Sequence, residues 1–463
     1  MNKFVQNKPT LLLSRSLSFT WSIFRGSIIL ILLGTILTIP SLLNGFPLVF
    51  TDSGTYIYSG FQLLIPEDRP INYGLFIWLF SFYKYPILIP IFQNIFSIAP
   101  LIRIQTIKKF TQLQKTITTL FLVIFTPFIY YTNLVTPDFA IFPALTFLYL
   151  SYIESNTILK ILSIIISFFL FSFHLGFIFP LILTFSTLAL HAIFSKIRFR
   201  LMNLLFIISL STSLILYENY LQNKTYTFSK RGYLFVTAKL VGSEGFSEGV
   251  RDFCRENPKN IICNYVDSFP SNGSDFLWNS SSPLYKIGGW NYGEKEFKDL
   301  NLKLYTDPKY FKSTLKLIWQ DLISQTFTIN FGNEIDPYLE NSAPYFSVKD
   351  YYPNYLQDYL DSLQNSSELK RKLPRVFFNY LYFAILISSY LFILYFILSP
   401  NKMELSIYLI SSYLISSLLF ISMFSIPDSR YLTRLLPVLV FFIFISLISL
   451  KNQKSLIENN SLI

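Results

Sequence analysis

Apolar residues along this chain gather into long runs separated by short polar or basic punctuation. A helix that crosses a bilayer needs roughly 20 mostly apolar residues, and runs of about that length recur throughout. Their flanks place them at 24-43, 86-104, 117-135, 139-155, 159-177, 178-195, 201-218, 376-398, 404-424 and 431-450. The pattern predicts an all-α polytopic membrane protein of about ten transmembrane helices. The fifth and sixth runs meet near Pro180 and are short or tilted. Composition agrees, since 52% of the 463 residues are hydrophobic, 18% aromatic and only 14% charged. Water-soluble classes are thereby set aside.

Basic residues mark one side of the predicted bundle. Lys3, Lys8, Arg15 and Arg25 precede the first span, and later loops carry Arg103, Lys108, Lys109, Lys115, Lys196, Arg198, Arg200, Lys402, Lys451 and Lys454. By the positive-inside rule these loops are cytoplasmic, which places both termini inside. The opening loop, the Asp138 turn, the segment 219-374 and the Asp428 turn then lie outside. The net charge of +11 is spread over these loops without the basic stripe and aromatic platform of a nucleic-acid binder. The first apolar run is followed by further spans, so an uncleaved first helix is expected rather than a signal peptide.

The segment 219-374 is rich in Asn, Asp and Gly, and is long enough for a small folded domain. It separates a seven-helix module, 1-218, from three C-terminal helices in 375-463. Both cysteines lie in it, in "FCRENPKNIIC". On the oxidising side Cys254 and Cys263 are expected to form a local disulfide, with a metal site as the rival reading. Phe246, Val250 and Phe253 recur at helical spacing behind Ser243. Tyr352, Tyr355, Tyr359 and Leu363 share one side of a second helix interrupted by Pro353, a side suited either to lipid headgroups or to a core. Asn223, Asn272, Asn279 and Asn365 head N-x-Ser/Thr sequons, which carry no glycan in an ordinary bacterial protein.

The opening loop, 44-85, concentrates charge beside the bilayer in "VFTDSGTYIYSGFQLLIPEDRPINYG". Asp52 stands where a helix N-cap is expected. Ile57, Phe61 and Leu64 share a face of a helix over 53-64, too short to span, which should lie along the membrane surface until Pro66 stops it. Gly54 and Gly60 allow close approach to neighbours. Glu67 and Asp68 read as a solvated loop that partly neutralises Arg69, and "YGLFIWLFSFY" as a second partial helix before Lys84.

This order of features resembles the GT-C fold glycosyltransferases that use polyprenyl-phosphate sugars, among them protein mannosyltransferases and lipid A aminoarabinose transferases. The resemblance rests on Asp52 just past the first span, the in-plane helix, "RPINYGLF", the Gln-bearing second span "IFQNIFSIAPLI", Asp138 in "TPDF" and "SRYLTRLLP" opening the last span. A lone Asp52 followed by Ser53 replaces the usual paired acids, and Pro-Ile-Asn-Tyr-Gly replaces a Pro-Pro-Gly turn, so the resemblance assigns the chain to a bacterial branch of the superfamily and to neither named subfamily. The likeness covers the membrane part and not the outer segment. It implies an inner-membrane transferase with residues 219-374 periplasmic, a polyprenyl-phosphate sugar as donor, and a lipid, glycan or protein acceptor.

Such a reaction needs a base for the acceptor hydroxyl and cations for the departing phosphate. Asp52 is the expected base, with Asp138 across the site orienting the acceptor. Arg430 and Arg434, one helical turn apart, are the expected phosphate ligands, with Arg69 or Lys84 adding charge. No cofactor is required on this reading; Mg or Mn held by Asp52 and Asp138 is the alternative. His174, Tyr56 and Tyr58 are further candidates for the site, the tyrosines by sugar stacking. Each residue also has a structural reading: Asp52 and Asp138 as caps, the arginines as headgroup anchors, His174 as a packing residue. Two other functions compete. A transporter or flippase would place paired charges near mid-membrane and show internal repeats, and a scaffold presenting the outer segment would leave Asp52 inert.

Overall fold

The computed structural model describes residues 28-194, 201-399 and 404-460. Among them the regular elements are helical, and a lone bridge pairs Leu48 with Leu134. Every predicted apolar run contains helix: α1 (Ile28–Leu37) and α2 (Ile39–Asn44), α5 (Leu88–Ile107), α6 (Gln112–Phe125) and α7 (Phe128–Asn133), α8 (Ile141–Ile153), α9 (Thr157–Phe171), α10 (Leu175–Phe194), α11 (Met202–Asn223), α21 (Arg375–Ile397), α22 (Leu405–Phe424) and α24 (Leu436–Asn460). The loop after α2 supplies α3 (Thr51–Gln62) and α4 (Asn72–Phe80). The long segment supplies α12 (Gly232–Val241), α13 (Phe246–Glu256), α14 (Gly273–Trp278), α15 (Pro283–Lys286), α16 (Glu294–Thr306), α17 (Pro308–Phe327), α18 (Ala343–Tyr351), α19 (Leu356–Leu360) and α20 (Glu368–Lys372). A short α23 (Ser429–Thr433) precedes α24.

Six helices among the described residues are long and apolar enough to cross a membrane: α5, α10, α11, α21, α22 and the stretch Ser429–Lys451. The third predicted run instead breaks at Pro127, where the ring removes a backbone donor, and yields two shorter helices. On α21 the surface itself is apolar, with Val376, Phe377, Leu391 and Leu394 all exposed. An apolar outer face is the mark of a helix solvated by lipid. Of the basic residues that set the orientation, Lys3, Lys8, Arg15, Arg25, Lys196, Arg198, Arg200 and Lys402 lie outside the described residues.

The two ends of the bundle differ in chemistry. At one end Arg103 of α5 pairs with Glu154 after α8 at 2.6 Å, and Lys108 pairs with Glu404 before α22 at 2.9 Å. At the other end the 44-85 loop, the turns before α8 and α10, the long segment and α23 come together. Gly54 and Gly60 act there as expected. A Cβ on Gly54 would lie 2.3 Å from the Ala343 carbonyl carbon, and one on Gly60 would lie 2.0 Å from the Gly74 carbonyl oxygen. Helices α18 and α4 thus cross α3 at near-backbone contact.

Two corrections concern α3. Asp52 is not the N-cap: the helix begins at Thr51, and the Phe50 N–H donates to Ser53 Oγ at 2.8 Å. Asp52 therefore lies inside the first turn, with its carboxylate free for other partners. The helix also stops before Pro66, at Leu63, which adopts the left-handed conformation with φ 53°.

The long segment has two apolar cores. Tyr233, Leu234, Val250, Phe276, Phe297 and Tyr310 belong to a separate cluster formed by α12–α17. Phe331, Ile335, Val348, Tyr352 and Tyr359 belong instead to the main bundle core. The tyrosine side predicted over 352-363 is thus a core element, with Tyr359 meeting the Phe46 ring edge-on at 5.2 Å. Phe246, Val250 and Phe253 are buried on α13 as their spacing predicts. Cys254 and Cys263 are disulfide-bonded. Asn365 is buried and its side chain bonds Tyr338 N and Tyr359 O, so its sequon is structural. Gln364 fastens this part to the opening loop, accepting from Val49 N at 3.0 Å and donating to Val49 O at 2.7 Å.

Candidate active site

Asp52 and Asp138, 86 positions apart in the sequence, are held beside each other by backbone contacts. The Val135 N–H donates to Leu48 O at 2.8 Å, and Ser53 Oγ donates to Val135 O at 2.6 Å. These bonds tie the first turn of α3 to the 3-10 turn Pro137–Ala140 that carries Asp138. Gln93 supports the same strut: its Nε2 donates to Thr132 O at 3.0 Å and Leu134 O at 3.1 Å, and its Oε1 accepts from Tyr73 at 2.7 Å. The Gln of the second span and the Tyr of "RPINYGLF" are therefore positioning residues for one structure.

Three arginines link the two acids into a chain of charge. Arg69 Nη1 lies 3.1 Å from Asp52, while its Nη2 donates to Asp68 at 2.6 Å. Arg430 bridges, with Nη1 3.6 Å from Asp52 and Nε 3.6 Å from Asp138. Arg434 Nη1 bonds the other oxygen of Asp138. Side-chain exposure falls along this chain, from 28% at Asp52 through 11% at Arg430 to 3% at Asp138. Asp52 is the open end and the Asp138–Arg434 pair the closed one.

Aromatic rings line the guanidinium groups. The Arg430 carbon lies 4.6 Å from the Phe50 ring centre, Arg434 lies 4.8 Å from both Phe177 and Tyr431, and Arg69 lies 5.2 Å from Tyr56. Ring faces stabilise desolvated cations without consuming N–H donors. Arg69 Nη1, Arg430 Nε and Arg434 Nε are buried and make no hydrogen bond of good geometry. The cluster thus keeps donor capacity for an anion.

Burial opposes ionisation of Asp52, but the charges of Arg69 and Arg430 outweigh it, holding the carboxyl below its ordinary range. The anion is therefore present at neutral pH. Both carboxylates face guanidinium groups, and among the described residues no group of three or more His, Cys, Asp and Glu that could hold a metal ion occurs.

Of the other predicted residues, Tyr56 is buried beside Arg69, whereas Tyr58 is exposed and meets Tyr351 at 6.4 Å. His174 sits in the turn before α10, where its Nδ1 accepts from Gly176 N at 2.9 Å. A Cβ on neighbouring Gly176 would lie 2.9 Å from His174 Nδ1 and 3.7 Å from Arg434 Nη2, so the turn borders the cluster. Lys84 is not brought in: it is exposed over the Tyr85 ring at 5.5 Å. Glu67 is no free loop acid either, because it pairs with Lys230 at 3.0 Å and Arg231 at 2.8 Å.

Two residues escaped the sequence reading. Glu334 is buried and accepts from the Tyr130 hydroxyl at 3.2 Å, and burial pushes its carboxyl up to about 7 despite the opposing charge of Arg430. Gln325 of α17 grips the residue that caps α23, donating to Asp428 O at 2.8 Å and accepting from Asp428 N at 3.0 Å. Asp428 Oδ1 in turn accepts from Arg430 N at 2.9 Å. Neither residue lies in a recognisable motif; only their position in a segment that folds back over the cluster brings them there. No family model, curated protein or solved structure matches the chain.

Proposed function

We propose that the protein is an integral membrane glycosyltransferase that moves a sugar from a polyprenyl-phosphate donor to an acceptor hydroxyl on the extracytoplasmic face, with inversion. The observation that carries this reading is the convergence of Asp52, Asp138, Arg69, Arg430 and Arg434 at one end of an apolar helical bundle. That end would face outward. The opposite one carries the described loop cations Arg103, Lys108 and Lys115.

The chemistry follows from the exposure gradient. Asp52, at the open end, takes the proton from the acceptor hydroxyl; the acceptor oxygen forms a bond to the anomeric carbon as the bond to the phosphate oxygen breaks. The electron pair leaves with the polyprenyl phosphate, whose charge Arg430 and Arg69 receive. A single displacement by one base inverts the sugar carbon. Pairing with two arginines makes free Asp52 a weak base. Donor phosphate competes for those guanidinium donors, so binding would raise the basicity of Asp52 as the acceptor arrives. Asp138 keeps Arg430 and Arg434 oriented and is a positioning residue.

Binding of a sugar-free polyprenyl monophosphate in detergent micelles tests the phosphate site. Arg430→Gln is expected to weaken it by roughly tenfold or more, the worth of one charge-assisted contact, and Lys84→Gln to leave it unchanged. Equal affinities for wild type and Arg430→Gln would remove the phosphate from this site.

A further inference from the structure

Helix α17 is not among the six helices apolar enough to cross a membrane, yet one of its sides is built for lipid. Phe311, Leu315, Trp319, Ile323 and Phe327 recur every fourth residue, and all are exposed, Trp319 by 63%. Residues four apart stack along one side of a helix. Each step of four turns about 40° further around the axis, so the stripe winds along α17 over roughly 24 Å from Phe311 to Phe327.

Charge along the exposed side is graded. The neighbouring exposed row reads Lys312, Lys316, Gln320, Ser324 and Thr328, so its cations are confined to the first half. The one charge farther along, Asp321, is paired with Lys239 of the outer core. The C-terminal end of α17 meets a span. Phe327 packs edge-on against Tyr390 of α21 at 6.3 Å, and the Tyr390 hydroxyl donates to Thr326 O at 2.8 Å. The stripe is therefore continuous with the apolar outer face of α21.

We propose that α17 is immersed in the bilayer along this stripe, with its C-terminal half against hydrocarbon and Lys312 and Lys316 at headgroup level. The continuity with α21 selects lipid as the occupant, and the cations at the upper end match phosphate headgroups. Gln325, on the protein side of the same helix, holds Asp428 and through it the Arg430 turn. Seating of α17 in lipid thus sets the height of the arginine cluster at the membrane surface. The inference rests on α21 being a span and is independent of the reaction proposed above.

Site-directed spin labelling tests it in nanodiscs of phosphatidylethanolamine and phosphatidylglycerol. The native cysteines are disulfide-bonded, so single cysteines introduced as Ile323→Cys, Lys312→Cys, Leu391→Cys and Asp299→Cys label selectively. These positions are exposed, which protects folding. Oxygen concentrates in hydrocarbon and a nickel chelate is excluded from it. The oxygen-to-nickel collision ratio at Ile323 is expected to match that at Leu391 and to exceed that at Asp299 by about tenfold, with Lys312 between them. A ratio at Ile323 equal to that at Asp299, or a label shielded from both reagents, overturns the proposal. If Leu391 also gives the aqueous ratio, the reading of α21 as a span falls with it.

Discussion

Glu334 offers a test in which the magnitude comes from its surroundings. Its carboxyl is almost completely buried, accepts a bond from Tyr130, and is pushed from an ordinary 4.5 up to about 7 by burial. Between those two values the folded protein holds a proton that the unfolded chain has released. Wild-type stability should therefore fall as pH rises through this window, with the loss complete above about pH 7. At about 1.4 kcal/mol for each tenfold change in proton activity, the interval corresponds to an upper bound of about 3 kcal/mol. Glu334→Gln keeps an acceptor for Tyr130 and removes the titration. Unfolding by denaturant in mixed micelles, measured on both proteins at several pH values, isolates the difference. The variant should match protonated wild type at about pH 5 and exceed it by about 2–3 kcal/mol at about pH 8. Parallel curves would show that Glu334 does not titrate in this window, and the account of its environment would be wrong.

Three further predictions follow from the same geometry. Asp138→Asn leaves Arg434 charged and unpaired in a buried position, and should cost about 3–5 kcal/mol in the same unfolding assay, with part recovered by adding Arg434→Met. Gln325→Leu removes both bonds that hold Asp428, and should weaken polyprenyl monophosphate binding by up to about tenfold with the native circular dichroism spectrum retained; unchanged affinity would show that Arg430 needs no such support. Gly60→Ala forces a methyl into the Gly74 carbonyl, 2.0 Å away, and should destabilise by about 1–3 kcal/mol or abolish stable expression, whereas an alanine at Gly289, with nothing near its added methyl, meets only the strain of a positive φ.

The helices were legible because burial in lipid demands long apolar runs, and each predicted run contains helix. Their breaks were less so: Pro127 lies inside an apolar stretch and its effect depends on whether neighbours rebuild the lost bond. The cluster itself was partly legible. Asp52, Asp138, Arg69, Arg430 and Arg434 stand at the ends of apolar runs on one side, where polar residues are expensive without a partner. Lys84 met the same description and lies elsewhere, exposed over the Tyr85 ring after a turn in which Phe82 and Tyr83 both take positive φ. Glu334 and Gln325 were invisible for a different reason. Their roles arise from packing of the long segment against the bundle, across 204 positions for Tyr130–Glu334 and 103 for Gln325–Asp428, with no local periodicity to announce it. Asp52 is two positions past the N-cap, Phe50, whose N–H is taken by Ser53 Oγ, and its carboxylate, which makes no capping bond, meets Arg69 and Arg430.

The central claim is that Asp52 accepts the proton in transfer from a lipid-linked sugar phosphate. Its most direct measurement is turnover of a panel of polyprenyl-phosphate sugars by the purified protein, with wild type and Asp52→Asn compared on the donor that is consumed. Wild type should cleave at least one donor, and the variant should be slower by about 10²–10⁴-fold, the usual worth of a positioned base, while still binding the monophosphate. A panel left intact by wild type, or an Asp52→Asn variant that turns over as fast, would contradict the account.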